Sequence, residues 1–157
     1  MNTITRSFLF ALIFALISLH AYAESVWDGA FAYDKGDYAT AINIFKPLAE
    51  KGHPVAQLTL GKMYYFGQGV PQDYKEAVKW YRLAAEQGYA DAQSFLGVMC
   101  FFGKGVVQDY VTAHKWANLA AANGIEKAME LRDDIAKKMT PEQISRAQAL
   151  ARGFVQK

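Results

Sequence analysis

An all-α solenoid built from helix-turn-helix units is the fold class this 157-residue sequence predicts, on three observations. Residues 55–90 return as residues 91–126, displaced by about 36 positions, and about half of the positions are identical. A loop punctuated by glycine divides each copy into two helix-length stretches. The tail after residue 126 leaves the repeat and carries its own helix-start signal, as a terminal cap does.

The recurrence is residue by residue. Ala56-Gln57 returns as Ala92-Gln93, and Leu60-Gly61 as Leu96-Gly97. Phe66-Gly67-x-Gly69-Val70 returns as Phe102-Gly103-x-Gly105-Val106, and Gln72-Asp73-Tyr74 as Gln108-Asp109-Tyr110. Lys79-Trp80 and Leu83-Ala84-Ala85 recur as Lys115-Trp116 and Leu119-Ala120-Ala121. A period of about 20–50 residues marks units that bury their apolar faces only against neighbours.

Within a unit, the first helix is predicted over residues 54–65 and the second over 74–87. Asp73 serves as N-cap of the second, with Glu76 three residues on as in a capping box. Gly88 closes that helix as a left-handed C-terminal cap. Asp109, Gly103, Gly105 and Gly124 repeat the plan. Gly67-x-Gly69 is not a phosphate loop, because it lacks the Lys-Ser/Thr ending and follows no strand. Gly61 and Gly97 fall inside first helices, where Gly costs about 1 kcal/mol against Ala, so a neighbouring helix is expected to pack on their backbone. Ala77, Ala84, Ala113 and Ala120 suit the same close approach. Trp80, Tyr81, Leu83, Trp116 and Leu119 are expected to fill the space between layers.

An incomplete unit precedes the two full ones. Gly36-Asp37-Tyr38 aligns with Gln72-Asp73-Tyr74, and Ala41, Phe45, Ala49, Glu50 and Gly52 with Ala77, Tyr81, Ala85, Glu86 and Gly88. Its first helix is predicted over residues 25–33, with a shorter connection. At the other end, residues 126–139 carry Ala128, Leu131, Ile135 and Met139 at helical spacing. Thr140-Pro141-Glu142-Gln143 then opens a last helix with a Thr N-cap, Pro at the first position and Gln at the capping-box position. Ile144, Ala147, Ala151 and Phe154 form its apolar stripe.

The first residues have a different purpose. Arg6, an apolar run from Phe8 to Leu19 and Ala21-Tyr22-Ala23 before Glu24 describe a secretory signal peptide over residues 1–23. The run is shorter than the roughly 20 residues a membrane span needs. An exported chain, periplasmic or secreted, is therefore expected. Loss of Arg6 lowers the formal net charge of +2 to about +1, too small a basic excess for nucleic-acid binding. The single cysteine, Cys100, has no intramolecular partner and stands where the preceding unit has Tyr64, which points to structural filler.

These residues resemble the Sel-one-like repeat family, a branch of the tetratricopeptide superfamily, over residues 26–124. The signature A-x3-LG-x-MY-x2-G-x-GV-PQD-Y-x2-A-x2-WY-x2-AA-x2-G is nearly complete over residues 56–88. The next unit departs from it at Cys100 and Val107, and the first unit is closer to a plain tetratricopeptide repeat. The resemblance implies a right-handed α-solenoid with a concave face, divided as a tetratricopeptide-like first repeat (24–54), two Sel-one-like repeats (55–90 and 91–126) and C-terminal capping helices (127–157). It also implies an adaptor that binds proteins or peptides, without catalytic activity. Carried over by position, the groove-facing sites are Val55, Leu58, Lys62, Tyr65 and Phe66, then Asp91, Ser94, Val98, Phe101 and Phe102. Phe66 and Phe102 each precede a turn glycine, so burial under the neighbouring loop or helix is the competing expectation for them.

No arrangement of catalytic residues stands against that reading. His20 falls in the signal peptide, His53 in an inter-repeat turn, and His114 where the preceding unit has Val78. None has metal-ligand spacing such as H-E-x-x-H, and no Gly-x-Ser-x-Gly elbow occurs. Asp133 and Asp134 are adjacent and point to different sides of a helix. The expectation is a monomeric, exported, non-enzymatic adaptor without metal or cofactor. The alternatives are a cell-wall carbohydrate- or peptidoglycan-binding protein, whose Tyr65 and Phe101 would stack on sugars, and a hydrolase.

Overall fold

The computed structural model describes residues 25–155, so the predicted signal peptide lies outside the described residues. The chain forms α1 (residues 25–34), α2 (Tyr38–Glu50), α3 (Pro54–Phe66), α4 (Tyr74–Glu86), α5 (Ala90–Phe102), α6 (Tyr110–Ala122), α7 (Glu126–Ala136) and α8 (Pro141–Val155). No strand occurs among the described residues. Each helix from α2 to α6 packs on the next, and α8 folds back onto α6. Neighbour-only packing is what defines a solenoid, so the all-α repeat class stands.

Two large apolar cores follow the repeat, beside a small cluster of Ala120, Ala121 and Ala128. Phe45, Leu60, Met63 and Trp80 anchor one beneath α1–α4. Tyr81, Leu96, Met99, Trp116 and Ile135 anchor the other, where Phe95 and Leu131 pack against its edge. The predicted close approach at Gly97 is real: a Cβ there would lie 3.3 Å from the Ala117 backbone nitrogen and 3.4 Å from the Ala113 carbonyl oxygen. The predicted alanines Ala77, Ala84, Ala113 and Ala120 are fully buried. Successive units are also stitched by side chains. Gln57 Nε2 donates to the Ala49 carbonyl at 3.1 Å, and its counterpart Gln93 Nε2 to the Ala85 carbonyl at 3.2 Å.

The caps form where predicted, with one exception. Asp73 accepts from the Lys75 and Glu76 backbone N–H groups at 2.8 and 3.1 Å, and Asp109 does the same for Val111 and Thr112. The Asp73–Glu76 box is incomplete. Glu76 pairs instead with Lys79 at 3.2 Å, and the Asp73 N–H already donates to the Tyr64 carbonyl. At α8 the box closes: the Thr140 N–H donates to Gln143 Oε1 at 2.9 Å, and the Gln143 N–H to Thr140 Oγ1 at 3.3 Å. The α7 helix stops at Ala136 rather than Met139, in a turn held by Lys138 N–H to Ile135 and Met139 N–H to Ala136. The residue before Pro141 is pushed out of the helical region, so the chain turns ahead of it.

Leu83 corrects another expectation. It is 39% exposed, whereas its counterpart Leu119 is buried. Leu119 borders Ala151 and Val155 of α8, and α8 packs on α6.

Candidate interaction face

The feature that recurs on the surface is the end of each first helix. Phe66 closes α3 and Phe102 closes α5. Gly67 (φ +69°) and Gly103 (φ +68°) follow in the left-handed region, which glycine enters without Cβ strain, and the chain turns away there. The turn leaves each Phe uncovered: Phe66 is 54% and Phe102 60% exposed. Burial by the neighbouring loop, the competing expectation for both, is thereby corrected. Each exposed ring stands edge-on to a half-buried one. Tyr65–Phe66 and Phe101–Phe102 both have centroids 4.9 Å apart, at 79° and 71°. Gln72 Nε2 donates to the Tyr65 carbonyl at 2.8 Å, and Gln108 Nε2 to the Phe101 carbonyl at 2.7 Å, pinning both helix ends alike.

The stripe leading to these rings differs from the expected one by a register step. Leu58 is 7% exposed and belongs to the core under α4 and α5, so it does not line a surface. Residues spaced four, three and four apart share a helix face, and that frame gives Val55, Thr59, Lys62 and Phe66 on α3, none of them fully buried. The same frame on α5 holds Asp91, Phe95, Val98 and Phe102. Ser94 is half-buried beside it. Thr59 and Phe95 were missed because the Leu58 register was followed. Leu58 lies three residues after Val55 and four before Lys62, so spacing alone does not separate it from the stripe.

The rings of the two units meet at a seam between α3 and α5. Tyr65 lies 6.1 Å from Phe95 and 5.3 Å from Tyr74, and Phe95 stacks flat on Tyr81 at 4.8 Å. Lys62 places its ammonium 6.0 Å from the Phe95 centroid. From the other side Lys104 reaches back over Tyr65 and Tyr74, at 5.2 and 5.4 Å, and donates to the Tyr65 hydroxyl at 3.1 Å. That hydrogen bond holds the Lys104 ammonium above its ordinary pKa. Both lysines are half-buried, with stems along aromatic surface.

Lys104 has a counterpart in the preceding unit. Gln68 accepts from the Tyr33 hydroxyl at 2.7 Å and donates to the Tyr38 hydroxyl at 2.9 Å. Gln68 and Lys104 are therefore one device, a loop residue gripping the tyrosine pair of the unit before. Gly69 and Gly105 bring the loops close enough, lying against Tyr38 and the Tyr74 carbonyl, where a Cβ would overlap. The third such pair is Phe101–Tyr110, 5.6 Å apart.

Other candidate chemistry lies elsewhere. Cys100 is buried, and burial pushes its thiol up to about 11, so no thiolate is available at neutral pH. His114 is buried on α6, and burial followed by the nearby Arg132 lowers its pKa. Asp133 and Asp134 pair separately with Arg132 and Lys137. Among the described residues no group of three or more His, Cys, Asp or Glu converges as a metal site. No helix among them is long and apolar enough to cross a membrane.

Residues 54–89 and 90–125 each match the Sel1 repeat family. Among solved structures, the chain is similar to c5321, a protective antigen present in uropathogenic Escherichia coli strains and displaying an SLR fold. The TM-score is 0.81 at 33% identity, covering 87% of this chain and 30% of that one. It is also similar to a Sel1 repeat protein from Oxalobacter formigenes, with a TM-score of 0.64 at 34% identity, covering 67% of this chain and 44% of that one. An uncharacterised protein of Neisseria meningitidis serogroup B is 43% identical over 53 residues, 31% of this chain and 11% of that protein. The chain thus spans less than half the length of each of these relatives.

Proposed function

Because its two Sel1 repeats make this chain a Sel1-like repeat protein, a class that in general mediates protein–protein interaction, we propose that it is an exported adaptor holding a protein or peptide on the face of α3 and α5. The observation that carries this reading is the repeated exposure of Phe66 and Phe102. Two large rings in the same register, each backed by a half-buried ring, are presented to solvent at neighbouring units. Rigid aromatic side chains lose little rotamer entropy on contact and act as interface anchors. Lys62, Tyr65, Ser94, Val98 and Phe101 surround them as a mixed rim, the arrangement common to protein interfaces.

The test is in-cell crosslinking from a photoreactive residue at Val98, on the full-length chain. A discrete protein adduct that disappears in the Phe66→Ser/Phe102→Ser variant supports the reading. An adduct unaffected by both substitutions overturns the assignment of this face. Adducts to cell-wall material instead would support the carbohydrate alternative. Export is tested by N-terminal sequencing of the protein recovered from fractionated cells. A mature chain beginning at Glu24 is expected, and an intact Met1 start in the cytoplasm would refute it.

A further inference from the structure

Two lysines converge on the α3–α5 seam from opposite sides. Lys62 belongs to α3 and reaches the Phe95 ring of α5. Lys104 follows α5 and reaches the Tyr65 ring of α3. The two rings are 6.1 Å apart, so both ammonium groups border one aromatic floor. Among the described residues, ion pairs elsewhere include those of Lys79, Arg132 and Lys137. Among the described residues neither Lys62 nor Lys104 pairs with a carboxylate. The remaining residues of the stripe beside them, Val55, Thr59, Phe66, Val98 and Phe102, carry no charge. Asp91, one turn before Phe95 on the same face of α5, is the one carboxylate of the stripe, and among the described residues it pairs with neither lysine.

The grip on Tyr65 does not require a charge. Gln68 performs the same service for Tyr33 and Tyr38 as a neutral amide. The cation at position 104 is thus surplus to the clamp, and the half-buried Lys62 lies over a ring face. Placing unpaired positive charge beside apolar anchors favours a partner of opposite sign and rejects basic ones.

Resting on the interaction face proposed above, we infer that the partner segment is an acidic, apolar peptide. Its carboxylates lie over the Tyr65–Phe95 floor between Lys62 and Lys104, and its apolar side chains sit on Phe66 and Phe102. A basic or neutral segment leaves both ammoniums desolvated without compensation.

The experiment uses the mature full chain and a displayed library of random twelve-residue peptides, with affinities of recovered peptides measured by fluorescence polarisation. Recovered sequences should be enriched in Asp or Glu beside Leu, Ile or Phe. Their binding should weaken as salt rises. Lys62→Gln and Lys104→Gln should each weaken it about two- to fivefold, as expected for partly exposed charge pairs. Lys104→Gln places at this position the amide that in Gln68 accepts from Tyr33 and donates to Tyr38, so the grip on the Tyr65–Tyr74 pair is kept, and unchanged circular dichroism checks this. The double variant Lys62→Glu/Lys104→Glu should select basic peptides instead.

Recovered peptides that need Phe66 and Phe102 but show no acidic enrichment overturn the charge inference and leave the interaction face standing. Acidic peptides that bind equally well to Phe66→Ser/Phe102→Ser overturn the face itself. Recovery of no binder from a library containing acidic apolar sequences overturns the inference as well.

Discussion

Gly61 of α3 lies directly beneath the ring of Tyr81 of α4: a Cβ on Gly61 would sit 2.5 Å from Tyr81 Cδ1 and 2.6 Å from Cε1. Tyr81 is fully buried and stacks on Phe95, so the ring has no room to withdraw. Gly61→Ala gains about 1 kcal/mol of helix propensity but must displace a packed aromatic, an overpacking cost of about 1–3 kcal/mol. Net destabilisation is expected, seen as a lower midpoint in urea with unchanged slope. A more stable variant would mean that α3 and α4 can separate freely.

The hydroxyl of the same Tyr81 is buried without a hydrogen-bond partner. The corresponding residue of the first unit is Phe45, equally buried. An unpaired buried hydroxyl costs about 1–3 kcal/mol in desolvation, and burial also drives the phenol's pKa well above its ordinary value. Tyr81→Phe should therefore leave thermal stability unchanged or raise it. A drop of more than about 1 kcal/mol would show that the hydroxyl is bonded in solution, through an internal water.

Acid should loosen the chain through its histidines. His114 is buried with Nδ1 unpartnered, and burial lowers its pKa, with Arg132 adding to the effect and Asp133 opposing it. His53 caps α3 by accepting the Ala56 N–H on Nδ1, which requires the neutral ring, and burial lowers its pKa too. For both, the folded pKa lies below the unfolded value of about 6.5. The unfolded chain then binds more protons as pH falls, and stability drops from about pH 6.5 downward until the folded-state pKa is passed. Above pH 7 the contribution is fully present. Denaturant midpoints between pH 7.5 and 5 should show the decline, and His114→Val, which copies Val78, should flatten part of it. A profile identical for His114→Val and the parent would exclude His114 as a source.

Fold class and element order were legible because each unit repeats the residues that decide local structure. Asp73 and Asp109 start helices, Gly67 and Gly103 end them, and Gly97 admits a neighbour; each acts within its own unit or on the next. Exposure was less legible because it depends on which element covers a position. Leu83 and Leu119 are the same residue in the same register, and only Leu119 borders α8. Phe31 is 65% exposed, although the position it shares with Met63, counted from Gly29 and Gly61, is buried in the next unit. Among the described residues no unit precedes α1, so the face that Met63 packs inward is left open there. Leu58 was misplaced for a related reason. The family's groove positions put a core residue in the stripe and leave Phe95 out, because Leu58 shares helical spacing with Val55 and Lys62 and only the cover of α4 and α5 buries it.

The last helix should behave as a detachable cap. Its main apolar anchor is Phe154, whose ring meets Trp116 edge-on at 5.4 Å and 74°. Lys115 spans the two rings, 4.0 Å from the Trp116 centroid and 4.9 Å from that of Phe154. Ala147 and Ala151 are the buried residues of α8, and small side chains contribute little apolar area. Most of the docking energy of α8 therefore rests on one half-buried aromatic. Phe154→Ala should cost about 1–3 kcal/mol locally, and in a neighbour-coupled solenoid that loss falls on the terminal element first. Amide exchange should quicken across α8, while α3 to α5 keep their protection. Uniformly faster exchange along the chain would mean that α8 and the repeats unfold as one unit.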